Sequence, residues 1–249
     1  MEIVPSSAQA GIAGSLPTHR SALFFREESK RLNVALLAET TLVAAAAILA
    51  IKLLTAGSVS AYAWFIIPGI LVGAALIPTA VRGDQFPQVG LIDRRIGFTL
   101  LVLCRVCVIV FPAMFIGLWL LKFCGFGLPL QPVLSQNHKW ACWIFYQFMY
   151  VAVAEEMFFR GYLQSNILTL TSTIERQRHG LRKWMSIVLS AACFAIAHII
   201  VQGRITSALT FLPGLVLGWL FVRTRSLLAP ILFHGLANTC YCIMAVGLA

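Results

Sequence analysis

Seven stretches of this chain are apolar over lengths that would cross a lipid bilayer, and that succession limits the fold more than any other feature. They run over residues 33–55, 59–81, 97–121, 140–170, 184–201, 205–222 and 227–249. A bilayer core takes about 20 helical residues. With 59% hydrophobic and 11% charged residues and a mean hydropathy of +0.86, the composition is that of a multi-pass membrane protein. The expected fold is therefore an all-α polytopic membrane helix bundle of about seven transmembrane helices.

The net charge of +10 does not point to nucleic acid, because the basic residues sit in short clusters between the apolar runs. With the N-terminus in the cytoplasm, thirteen loop and tail bases fall on the inner side, among them Arg82, Arg94, Arg95, Arg176, Arg178, Arg182 and Lys183. Four (Lys52, Lys122, Lys139, Arg204) fall on the other. That asymmetry predicts an N-in, C-out integral membrane protein, with a bacterial inner membrane as the expected setting.

Residues 1–32, rich in Ser, Ala, Gly and Pro and then charged, read as a flexible cytoplasmic tail running into a surface helix. They show no short apolar core with a small-residue cleavage pattern, so the first span is expected to direct insertion. Residues 33–249 read as a single membrane domain, in which 140–245 hold the chemistry. The aromatic cluster Trp140, Trp143 and Tyr146 suits a membrane interface, and Gly214-x3-Gly218 would permit close helix packing. The seven cysteines lie in or beside apolar segments and read as small hydrophobes; Cys104-x2-Cys107 has no second pair to make a metal or redox site.

The polar residues inside the apolar runs carry the function. Of nine acids, six lie at or before Asp93, which leaves a loop-like Glu175 and, within VAVAEEMFFRGYLQ, Glu155 and Glu156 as two adjacent carboxylates in a long apolar region. An ionisable group at membrane depth costs at least a few kcal/mol and marks a function or a partner. At 100° per residue, Glu156 and Arg160 are about 40° apart around a helix and Glu155 and Arg160 about 140°. Arg160 should therefore pair with Glu156, leaving Glu155 to other neighbours.

Depth supplies those neighbours. Counted from the inner ends of their spans, Glu155, His198, His234 and Asn238 lie roughly 12 to 22 Å in, and the i,i+4 spacing of His234 and Asn238 puts them on one face. A carboxylate, two imidazoles and an amide at one level can hydrolyse a peptide bond. Glu155 would take a proton from water that His198 shares, while His234 and Asn238 would donate to the developing oxyanion. The bland reading is a structural ion-pair network of Glu155, Glu156, Arg160 and Arg105, with the histidines and Asn238 as helix-packing hydrogen bonders. Phe158, Phe159 and Phe194 read as core or lipid contacts, and His19, His138 and His179 as solvated residues.

Three motifs in order, Glu155-Glu156-x3-Arg160, Phe194-x3-His198 and His234-x3-Asn238, resemble those of the CAAX-prenyl-protease and bacteriocin-processing (CPBP or Abi) family. The likeness covers roughly residues 140–245, including the approach GLVLGWLFVRTRSLLAPILFHGLAN to the last motif. It implies an intramembrane endopeptidase acting on a membrane-anchored polypeptide within the lipid bilayer. Glu155 and His198 would activate water, Glu156 and Arg160 would support the site, and His234 with Asn238 would form the oxyanion pocket. No cofactor is then required. The alternatives are a zinc ion on Glu155, His198 and His234, although H-E-x-x-H is absent, and a non-catalytic immunity or partner-binding protein.

Overall fold

The computed structural model describes residues 19–56, 60–83, 95–125, 140–171 and 179–248. Among these residues there is no strand, and the chain forms seven helical passes. These are α1 (His19–Ala56), α2 (Ser60–Val81), α3 (Ile96–Phe123), a composite α4 (140–170), α5 (His179–Gln202), α6 (Phe211–Thr224, preceded by a 3₁₀ turn over Ile205–Thr210) and α7 (Leu228–Leu248). Four helical stretches, Lys30–Ala56, Ile96–Phe123, Gly180–Gln202 and Ile205–Thr224, are long and apolar enough to cross a membrane. Phe65–Val81 and Leu228–Met244 are shorter apolar stretches of the same kind. The protein is an all-α membrane helix bundle.

The structure departs from the sequence reading at α1, which starts at His19 and so joins the supposed surface helix to the first span without a break. Residues 1–18, the break at Gly57 and Ser58, His138, and the loops carrying Asp84, Asp93, Lys139, Glu175, Arg176 and Arg178 lie outside the described residues, as do the side chains of His19 and His179. Pro68, Pro78 and Pro112 stand inside helices, which a membrane helix tolerates when neighbours take up the freed backbone groups.

The fourth pass is the axis of the molecule. It packs against α1, α2, α5, α6 and α7, while α3 lies outside on α6 and α7. Its regular α turns, Trp140–Tyr146, Val153–Glu156 and Ser165–Leu170, are interrupted by π-helical stretches over Gln147–Ala152 and Met157–Gln164. Such wide turns are rare and cluster at functional sites, and here they flank the acid pair on both sides.

One apolar cluster joins α1, α2, α4 and α5 through Ala47, Ile51, Leu71, Ala75, Phe158, Phe159 and Phe194. A second joins α3, α6 and α7 through Val102, Leu103, Leu217, Leu220 and Phe233. Large apolar side chains such as Leu42, Leu53, Val108, Ile109 and Ile116 point outward, an exposure that suits lipid rather than water. The Gly214/Gly218 spacing does permit close approach. A Cβ on Gly214 would lie 3.2 Å from that of Ala191, and one on Gly218 would lie 3.2 Å from Gln164 Oε1.

Candidate active site

Glu156 and Arg160 are both fully buried, and Arg160 Nη1 donates to Glu156 Oε1 at 2.8 Å. The same guanidinium reaches the Gly214 carbonyl at 3.3 Å and faces the Phe194 ring with 4.6 Å to its centroid. One helical turn further on, Gln164 donates to the Gly218 carbonyl at 3.1 Å. Two side chains four residues apart on α4 thus bind two carbonyls four residues apart on α6. A side chain on either glycine would crowd that approach.

Glu155 turns away from Arg160. Its Oε2 lies 3.9 Å from His198 Nε2 and 3.8 Å from His234 Nε2, and it has no hydrogen-bond donor among the described residues. Glu155 and His198 each keep about a fifth of their side-chain surface accessible, whereas Glu156 keeps none. The adjacent acids therefore occupy different environments, one sealed and neutralised and the other open.

Both imidazoles are oriented through Nδ1. His198 Nδ1 lies 2.9 Å from the Phe194 carbonyl, one turn back on α5. A carbonyl can only accept, so this nitrogen carries the hydrogen. His234 Nδ1 lies 2.7 Å from Glu156 Oε1, whose ion pair with Arg160 keeps it an acceptor, and so this nitrogen is also a donor. Each ring then presents Nε2 to Glu155. Two imidazole nitrogens and a carboxylate oxygen facing one another call for hydrogens or positive charge between them: a protonated ring, the hydrogens of a water molecule, or a cation.

Local structure explains how His234 and His198 come to this point. Ser226 Oγ accepts from the Leu228 backbone N–H at 3.1 Å at the start of α7, and Pro230 stands in its first turn, so His234 projects from a firmly started helix. The Phe194 ring lies against His198 with centroids 4.3 Å apart and planes tilted by 50°, and meets His234 edge-on at 6.1 Å. Phe194 is therefore more than a core contact. Its carbonyl, its faces and its edge bear on His198, Arg160 and His234.

Asn238 is oriented differently from the other candidates. Its side-chain N–H donates to Gln147 Oε1 on α4 at 2.8 Å, a partner the sequence reading did not name. Arg105 is exposed on α3 and takes no part in the ion pairs around the acids among the described residues. Cys104 and Cys107 are free thiols, and no group of three or more His, Cys, Asp or Glu among the described residues is arranged to hold a metal ion.

A second polar cluster joins α1, α2 and α4. Arg82 Nη1 pairs with Glu39 Oε1 at 2.6 Å and its Nη2 reaches Asn166 Oδ1 at 3.3 Å. Tyr162 donates to Glu39 at 3.0 Å, and Asn166 donates to Thr40 at 3.1 Å. Glu39 was legible as an acid inside the first apolar run, where the cost of an intramembrane charge applies as it does to Glu155.

The family model of type II CAAX prenyl endopeptidase Rce1-like proteins matches residues 137–240. That range contains Glu155, Glu156, Arg160, His198, His234 and Asn238. Comparison with curated proteins and with solved structures found no match. Residues 137–240, the part of the chain that gathers these side chains, are thus similar to the type II CAAX prenyl endopeptidases, which supports the likeness to the CAAX-protease (CPBP) family.

Proposed function

We propose that this protein is an intramembrane endopeptidase that uses Glu155 as its general base to cut a membrane-anchored polypeptide near the bilayer. The observation that carries the reading is the facing of Glu155 Oε2 by two imidazole Nε2 atoms at 3.8 and 3.9 Å, each ring held from behind at Nδ1. A water molecule between them would give one hydrogen bond to Glu155 and a second to His198. As its oxygen attacks the scissile carbonyl carbon, its proton passes to Glu155 and the carbonyl π electrons move onto oxygen. His234, doubly protonated with its Nδ1–H on Glu156, and the second N–H of Asn238 would stabilise that oxyanion. Glu155 then returns the proton to the amide nitrogen as the C–N bond breaks.

The family's description as prenyl endopeptidases supports a lipid-anchored substrate. Such a chain would approach sideways from the bilayer, since water and an extended peptide must share a polar-lined cavity closed off from lipid. The test is cleavage of a farnesylated peptide ending in Cys-aliphatic-aliphatic-X, in proteoliposomes, by wild-type and Glu155→Gln protein, with the cut site mapped by mass spectrometry. Cleavage next to the lipidated cysteine that Glu155→Gln abolishes is expected. Equal turnover by the two proteins would remove Glu155 from this role, and no cleavage by either would leave a partner-binding or immunity function as the better reading.

A second reading uses the same atoms. One carboxylate and two imidazoles are the residue types of a catalytic zinc site, and rings anchored at Nδ1 are the usual outer support of one, although as placed here the three are not arranged to hold an ion. Glu155, His198 and His234 would hold the ion, which would supply Lewis acidity and a more acidic water. Their separations exceed the about 3.4 Å expected of tetrahedral ligands at zinc distances, so the three would have to draw together slightly. Activity that persists after exhaustive chelation supports the metal-free reading. Loss on chelation with recovery on added zinc supports the other.

A further inference from the structure

We infer that Gln147 is a positioning residue for this reaction: it fixes the Asn238 amide so that its second N–H points to the oxyanion. The inference rests on the hydrolytic reading above and adds a residue outside the three sequence motifs. Three observations support it.

Asn238 Nδ2 donates to Gln147 Oε1 at 2.8 Å, and both side chains are half-buried between α4 and α7. A primary amide has two hydrogens on nitrogen. With one committed to Gln147 Oε1, the rotation of the group is set and the second hydrogen is left to point elsewhere. A free Asn238 could equally turn its carbonyl toward the oxyanion, where it would repel the developing charge.

The backbone of α4 is shaped to make this contact. In an unbroken α-helix, eight residues would set Gln147 about 80° around the axis from Glu155. The π-helical stretch Gln147–Ala152 turns less per residue and takes up that offset, bringing Gln147 toward the face that carries Glu155. His234 lies opposite Glu155, and Asn238, one turn further along α7, lies opposite Gln147.

The helices are also held close between the two contacts. Gly235 packs against Phe148 so tightly that a Cβ there would come within 2.5 Å of the ring. That approach lets an asparagine, with its short side chain, span the gap to Gln147.

The experiment uses full-length protein in proteoliposomes with the same farnesylated peptide and compares wild type, Glu155→Gln, Gln147→Ala, Gln147→Glu, Asn238→Ala and the Gln147→Ala/Asn238→Ala double variant. Loss of one oxyanion donor lowers kcat by about a hundredfold or more, so a donor left unoriented should cost about tenfold or more, with KM little changed. Gln147→Glu keeps an acceptor at the same reach and should recover most of kcat. The double variant should be no slower than Asn238→Ala alone. Matching thermal unfolding of the single variants in detergent excludes misfolding as the cause.

An unchanged kcat in Gln147→Ala, or the same fold-loss from Gln147→Ala with and without Asn238, would overturn the inference while leaving Glu155-dependent cleavage standing. A wild-type protein that does not cleave the peptide, or a fully active Glu155→Gln, would defeat the hydrolytic reading, and the inference with it.

Discussion

His234 Nδ1 lies 2.7 Å from Glu156 Oε1, the carboxylate oxygen that Arg160 also holds. The sealed acid of the pair is therefore tied to the ring that faces the open one. Through His234, Glu156 links the buried ion pair to the candidate site.

The first prediction follows from that tie. Arg160→Met should leave Glu156 fully buried without its guanidinium partner, with only His234 still on its carboxylate, and cost roughly 3–5 kcal/mol of stability. The protein should lose thermal stability in detergent and activity together. Stability within about 1 kcal/mol of wild type would show that the pair is dispensable to the fold.

Glu155→Gln should behave in the opposite way. Its Oε2 has no donor among the described residues and the side chain is partly accessible, so the substitution removes no structural hydrogen bond from that atom. Unfolding should shift by less than about 1 kcal/mol. Turnover should fall by about a hundredfold to ten-thousandfold, the range associated with a lost general base. A large drop in unfolding temperature would instead identify Glu155 as part of the scaffold.

Gly235→Ala should force α7 away from α4, because the new methyl group meets the Phe148 ring. Overpacking of this kind costs about 1–3 kcal/mol, and the displaced helix should lose turnover as well. Adding Phe148→Ala should restore part of both. Failure of the double variant to recover either quantity would place the damage elsewhere.

Orientation in the membrane is predicted from charge. Thirteen basic residues against four give a cytoplasmic N-terminus and an external C-terminus. Reporter fusions at residues 88, 177 and 249 should read inside, inside and outside. A cytoplasmic signal at 249 with an external one at 177 would reverse the topology.

Much of the bundle was legible because lipid imposes a simple rule: a long apolar run must become a helix. The run over 97–121 is an example, matched by Ile96–Phe123. The different environments of Glu155 and Glu156 follow from 100° per residue, which holds well enough over the four residues to Arg160 even with a π stretch beginning at Met157. Gln147 was not legible for the same reason. An eight-residue extrapolation at 100° turns it away from Glu155, and no sequence signal marks the wide turn that brings it back. The onset of α1 was missed because charged residues before an apolar run fit an interfacial helix and a continuous one equally well. Glu39 needed only its partners on α2 and α4, which lie 43 and 123 residues away in the chain.

A π turn can be regarded as one residue inserted into a helix that stayed unbroken, and this gives α4 an unusual tolerance. Deleting any one residue between Gln147 and Ala152 would let the stretch relax to ordinary α turns without interrupting the helix. Glu155, Glu156, Arg160 and Gln164 would keep their neighbours on α5, α6 and α7. Gln147 would then stand seven residues, or about 700°, from Glu155, about 20° short of two full turns, and would keep its face toward Asn238, with the aromatic end at Trp140 and Trp143 holding its heading. This segment can therefore lose one residue while the acids at one end and the aromatic rings at the other both hold their faces.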